Sequence, residues 1–171
     1  DVWKDYPNLK VLVVPRHPER FTVVEEVASR MGVDCQRYSE LKGRHAKAKV
    51  IIIDAMGVLL NCYQLADIAF VGGSLTAKVG GHNILEPMNY GVATIFGPCM
   101  HAQPDFLKLA KHHQAGWVVT DDQLVQALRR LSGDAESRQR LGRRGRQLME
   151  EAKGSVEKTL RQLQIRDNNE E

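Results

Sequence analysis

IAFVGGSLTAKVGGHNILEPMNYGVATIF, residues 68–96, is the stretch that decides the fold. It opens on an apolar strand candidate, Ile68 to Val71, which runs into Gly72-Gly73. A loop bearing Ser74, Thr76 and Lys78 follows, closed by Gly80-Gly81. A short helix is expected from Ile84 to Tyr90, stopped by Gly91, and then a second apolar strand from Ala93 to Phe96. Two strands with no polar alternation, joined through a helix, are the pattern of parallel strands buried on both faces.

The alternation extends in both directions. Upstream, Val11 to Pro15 and Val50 to Asp54 read as strands. Helices are expected at Glu19 to Met31, closed by Gly32, and at Gly57 to Ala66. Downstream, Asp105 to His112 reads as a helix and Gly116 to Thr120 as a strand, with Asp121 capping a helix to about Leu131. The sum predicts an α/β fold with a Rossmann-like, doubly wound parallel sheet. A long helix is expected from Ala135 to about Leu163, with Leu141, Leu148, Ala152, Val156, Leu160 and Leu163 along one stripe. The expected organisation is one α/β domain over residues 1–134, a C-terminal helix over 135–164 packed on it, and a frayed tail over 165–171.

Composition narrows the function classes. Of 171 residues, 43% are hydrophobic, which suffices for a proper core. Lys and Arg total 24 against 21 Asp and Glu, and a net charge of +3 is too mild to imply nucleic acid. Cys35, Cys62 and Cys99 are widely spaced, so free thiols in a reducing compartment are expected. The sequence holds no apolar run of ~18 residues, so no membrane-spanning helix is expected. No signal peptide is visible. A chain that starts at Asp1 and enters a strand almost at once reads as a piece of a longer protein without its N-terminal portion. Arg138, Arg140, Arg143, Arg144 and Arg146 spread around the polar arc of the last helix. They read as a solvated face, with attraction to an anionic lipid surface as the second reading.

Ligands of open α/β sheets sit outside the carboxyl ends of the strands. Gly72, Gly73, Gly80 and Gly81 let the backbone approach a ligand closely. The helix that follows offers N–H groups and a positive dipole end to a phosphate. His82 and Asn83 stand at that entrance, and Glu86, one turn in, is placed to accept both hydroxyls of a ribose. A structural reading competes: Asn83-x-x-Glu86 is also a capping box with Asn83 as N-cap, although it leaves the glycines and His82 unexplained. The GxGxxG pattern is absent, which argues against a classical NAD site.

Three other loops leave strand ends. Arg16, in PRHPERF (Pro15 to Phe21), is placed to pair with a phosphate or carboxylate, or else is a surface residue. The turn DAMG (Asp54 to Gly57) is suited to present backbone groups to a base edge, although a methionine such as Met56 is more often core than ligand. His101, in FGPCMHAQPD, is a candidate to reach a sugar carboxylate or act as an acid, or else is merely exposed. No nucleophile elbow, HExxH, P-loop or well-placed carboxylate pair occurs. No catalytic residue, metal ligand or cofactor is therefore assigned within this stretch.

At these residues the chain resembles the bacterial 3-deoxy-D-manno-octulosonic acid (Kdo) transferase family. The resemblance lies in PRHPERF, DAMG, AD-x-AFVGGSL (Ala66 to Leu75), GGHN-x-LEP (Gly80 to Pro87) and GV-x-x-x-x-GP (Gly91 to Pro98), in matching order over most of residues 10–130. It implies the C-terminal half of a GT-B glycosyltransferase, binding CMP-Kdo without a metal. It further implies transfer to a lipid A precursor at the cytoplasmic face of the bacterial inner membrane. The general base and the acceptor site would belong to an N-terminal domain that nothing here matches, so this stretch would bind donor without catalysing transfer.

By the same resemblance Arg16 would hold the CMP phosphate, with Asn83 and Glu86 around phosphate and ribose. The backbone near Met56 and Gly57 would meet the cytosine, Gly73 and Ser74 would line the pocket, and Lys78 would pair with the Kdo carboxylate. Two departures bear on base and donor contacts. DAMGVL places Ala55 and Val58 where the family often has a polar and an acidic residue, and CMHAQPD replaces a run with an asparagine and aromatics. Two alternatives remain open: a GT-B domain for a UDP- or GDP-sugar, or a non-catalytic interaction module.

Overall fold

The computed structural model describes residues 2–167, with side chains described to Gly154. The chain forms two compact units, Asp1–Leu65 and Ala66–Glu171. The first unit runs α1 (Val2–Asp5), β1 (Val11–Val13), α2 (Arg20–Arg30), β2 (Cys35–Arg37), α3 (Tyr38–Leu41), β3 (Val50–Ile52) and α4 (Leu59–Leu65). Its three strands are parallel in the order β1-β3-β2, with Val50 opposite both Val11 and Cys35. The central strand is the apolar one, and Val50, Ile51 and Ile52 are all buried. Arg37 ties β2 to α2 through a 2.7 Å ion pair with Glu25. The helix α2 ends as expected beside Gly32, where the Val33 N–H reaches back to the Ala28 carbonyl.

The second unit runs β4 (Ile68–Val71), α5 (Leu85–Asn89), β5 (Ala93–Phe96), α6 (Pro104–His112), β6 (Trp117–Val118), α7 (Asp121–Gly133) and α8 (Ala135–Asp167). Its strands are parallel in the order β4-β5-β6. Every residue of β5 is buried, as a central strand covered on both faces requires. One core cluster joins Val71, Ile84, Met88, Phe96, Met100 and Leu148. Another joins Ala93, Ile95, Val119, Ala127, Leu131 and Leu141. The α/β alternation with parallel strands is as expected.

Local differences have physical causes. The elements β2, α1 and α3 were not expected from the sequence. Thr120, not Asp121, is the N-cap of α7, because its extended backbone lets its N–H bond the Gln123 side chain at 3.1 Å. The last helix continues past Leu163 to Asp167. Of its expected stripe, Leu141 and Leu148 are buried and Ala152 half-buried, while the side chains of Val156, Leu160 and Leu163 lie outside the described residues. So do residues 168–171 of the expected frayed tail. Among the described residues, no helix is long and apolar enough to cross a membrane.

The helix α8 grips α5 from behind. Gly145 packs on Met88, and Gly142 meets the Gly91 carbonyl so closely that no side chain would fit between them. Arg146 donates to the Tyr90 carbonyl at 2.9 Å, at the C-terminal end of α5. Arg138 likewise bonds the carbonyls of Leu131 and Ser132 near the end of α7, at 2.6 and 2.9 Å. These two arginines of the expected solvated face serve as helix C-terminal caps.

Candidate functional site

The loop between β4 and α5 is shaped by its glycines. Gly80 and Gly81 stand at φ +81° and +86°, a region L-residues avoid. That conformation lets the Gly81 N–H turn back to the Gly73 carbonyl at 2.8 Å, closing the loop on itself. The loop after β5 is laced to it: the Cys99 N–H donates to the Ser74 carbonyl at 2.8 Å and the Ala102 N–H to the Gly80 carbonyl at 3.0 Å. Gly97 lies against the Ser74 carbonyl, where a Cβ would overlap it.

Ser74 is fully buried. Its hydroxyl donates to the Val71 carbonyl at 2.6 Å and accepts from the Gly97 N–H at 2.8 Å, spanning the ends of β4 and β5. Its side chain is thus committed to holding the two loops. The sequence did not reveal this, because a serine in a glycine-rich loop reads as solvent-facing.

At the entrance to α5, Asn83 accepts the Leu85 N–H at 3.0 Å and donates to Glu86 Oε1 at 3.2 Å. The N-cap position belongs to Ile84, one residue later than the capping-box reading placed it. Asn83 nonetheless satisfies a first-turn N–H and fixes one oxygen of Glu86. The other oxygen, Oε2, has no partner among the described residues. Both side chains are half-buried, and so is His82, whose Nε2 lies 3.2 Å from the position of a Cβ on Gly73. Lys78 is exposed at the loop's tip. The structure thus gathers Gly73, Ser74, Lys78, Gly80, Gly81, His82, Asn83 and Glu86 in one loop and helix start. It also brings in His101, whose ring lies beside Gly80.

The remaining candidates, Arg16, Met56 and Gly57, lie in the first unit. Arg16 is exposed, three residues past the end of β1. Met56 is 61% exposed, which removes its core reading. Gly57 has φ +79° and open space where a Cβ would stand. Asp54, which begins that turn, accepts the Ser39 N–H at 2.9 Å and the Ser39 hydroxyl at 2.6 Å. Burial pushes its carboxyl up, but the Ser39 hydrogen bonds outweigh this and the net direction is down. The Asp54 side chain therefore orients the turn.

Burial pushes the Cys35 and Cys62 thiols up, away from reactive thiolate. Among the described residues no group of three or more His, Cys, Asp and Glu is placed to hold a metal ion. What the second unit offers is backbone amides, a helix start and a carboxylate, which suits binding a phosphorylated nucleoside.

Comparison with known proteins gives the family. The family of glycosyl transferases group 1 matches residues 32–148. The chain belongs to this family. Among curated relatives of this chain, the 3-deoxy-D-manno-octulosonic acid transferase of Haemophilus influenzae is 39% identical over 91% of the chain and 36% of its own length. That of Chlamydia muridarum is 33% identical over 93% of the chain and 38% of its own length. The chain therefore spans just over a third of the length of these relatives. Among solved structures, the C-terminal CMP-Kdo binding domain of WaaA from Acinetobacter baumannii matches with TM-score 0.77 and 33% identity, over 86% of this chain and 79% of that one. The C-terminal domain of LpcC from Francisella tularensis, at 18% identity and TM-score 0.56 over 86% of this chain and 71% of that one, shares the fold.

Proposed function

We propose that this chain is the donor-binding domain of a Kdo transferase and that its donor is CMP-Kdo. The observation that carries the reading is the 33% identity and TM-score of 0.77 to a domain described as binding CMP-Kdo. The glycine loop supports it on chemical grounds. Amides at the start of α5 suit the single phosphate of a CMP-sugar, and the open Oε2 of Glu86 suits a ribose hydroxyl. Gly73, Gly80 and Gly81 bring backbone to the donor, His82 and Asn83 flank it, and Lys78 pairs with the sugar carboxylate. Ser74 acts by holding the loops. Arg16 at the phosphate and the backbone at Met56 and Gly57 at the base are assigned by sequence resemblance alone.

The whole enzyme, on this reading, transfers Kdo to a lipid A precursor at the cytoplasmic face of the bacterial inner membrane. It does so without a metal, with the acceptor and the general base held by an N-terminal half. On the same reading the present stretch binds donor and leaves catalysis of transfer to that N-terminal half. Arg143, exposed on α8, is the residue best suited to an anionic membrane surface.

Saturation-transfer NMR on the ligand, with CMP, UMP, UDP and GDP in competition, tests the donor class. CMP should win, with affinity of about millimolar because a lone half-cleft is poorly preorganised, and Glu86→Ala should weaken it. Preference for UDP or GDP would replace the donor with another nucleotide-sugar. No binding by any of them would favour a non-catalytic interaction module.

A further inference from the structure

We propose that His101 donates a hydrogen bond to an anionic oxygen of the donor, either its phosphate or the carboxylate of its acidic sugar. The inference rests on the donor-binding reading above and adds a residue which that reading does not use. The geometry starts at Gly80. A Cβ there would fall 2.6 Å from His101 Nε2 and under 3 Å from two ring carbons, so the imidazole occupies the space that glycine leaves vacant. The Ala102 N–H bonds the Gly80 carbonyl at 3.0 Å and holds the His101 backbone in that place. The side chain is exposed, and neither ring nitrogen has a partner among the described residues.

The surrounding charge suits an anion. Between Asp67 and Glu86 the chain contains no acidic residue, and between Glu86 and Asp105 it contains none either. Asp105 itself pairs with Lys108 at 3.3 Å. The two laced loops thus carry Lys78, His82 and His101 without a carboxylate of their own. An imidazole set against the glycine loop, with neither nitrogen hydrogen-bonded among the described residues, is a donor ready for an oxygen that arrives with a ligand.

The test measures the affinities of cytidine, CMP and CMP-N-acetylneuraminic acid for wild type, His101→Ala and His101→Gln, with amide spectra confirming the fold of each variant. The last ligand carries an acidic sugar whose carboxylate is next to the phosphate. A contact to phosphate predicts a loss of about tenfold for CMP in His101→Ala, with cytidine unchanged and His101→Gln intermediate. A contact to carboxylate predicts unchanged CMP and a loss of about tenfold for the CMP-sugar alone. Wild-type affinities for all three ligands in His101→Ala would overturn the inference and leave the donor-binding reading intact. Failure of wild type to bind CMP would overturn that reading, and the inference with it.

Discussion

Replacing Ser74 by alanine removes one oxygen and two hydrogen bonds. The hydroxyl is fully buried, donating to the Val71 carbonyl at 2.6 Å and accepting from the Gly97 N–H at 2.8 Å. Alanine keeps the Cβ, so the backbone has no steric reason to move. The void is too small to admit water readily, and the Gly97 N–H is left without its partner. An orphaned buried donor costs about 1–3 kcal/mol, and the lost bond to Val71 adds about 0.5–1.5 kcal/mol. We expect destabilisation of about 1.5–4.5 kcal/mol on those figures, which in a chain of this size lowers the Tm by about 3–18 °C. Urea unfolding followed by tryptophan fluorescence measures it. A Trp3→Phe background leaves Trp117, in the second unit, as the sole reporter. The Gly97 amide should exchange with solvent faster, and CMP affinity should fall with the loosened loops. A loss below about 0.5 kcal/mol with unchanged Gly97 exchange would refute the strut, since even one net hydrogen bond is worth that much.

Further outcomes follow from the same geometry. Gly81→Ala sets a Cβ onto the buried sulfur of Met100 at φ +86°. About 1–2 kcal/mol of backbone strain and about 1–3 kcal/mol of overpacking should lower the urea midpoint strongly. Gly72→Ala, with nothing near its Cβ and no positive φ, should stay within about 0.5 kcal/mol of wild type in the same assay. The Asp54 carboxyl titrates below its ordinary 3.8, the Ser39 hydrogen bonds outweighing burial. Its stabilising contribution is therefore complete above pH 3.8 and is lost as pH falls through the lower folded value. Ser39→Ala should accordingly be less stable than wild type at pH 7, and urea midpoints should converge in stronger acid. Arg146→Met removes the bond to the Tyr90 carbonyl and should cost about 1–2 kcal/mol by chemical denaturation, with α5 amides exchanging faster.

How much was legible varied with how local the cause was. The strands β4 and β5 were readable to the residue: Ile68 to Val71 is an apolar run between Asp67 and Gly72, and the largely apolar Ala93 to Phe96 lies between Gly91-Val92 and Gly97. The strand β2 is Cys35-Gln36-Arg37, a half-buried edge with no apolar run, and only its pairing with β3 makes it a strand. The four-residue helices α1 and α3 are too short to show a period.

In the site, the glycine loop was visible because positive φ is a property of single residues. The role of Ser74 was hidden because it depends on Gly97, 23 residues away. His101 was readable as a candidate, but only Gly80 shows what it faces. Met56 went the other way: its side chain suggested core, and it is 61% exposed. Asn83 and Glu86 made both the binding and the capping reading plausible, and the structure explains why, since one side chain serves the first turn while the other keeps an open oxygen.

The central claim, that the glycine loop and the start of α5 hold a cytidine phosphate, is tested most directly by backbone amide shifts during titration with CMP. Saturable shifts are expected at Gly73, Gly80, Gly81 and Asn83 through Glu86, with saturation moved to higher CMP concentration in Glu86→Ala. Saturable CMP binding that leaves all of these amides unmoved would contradict it.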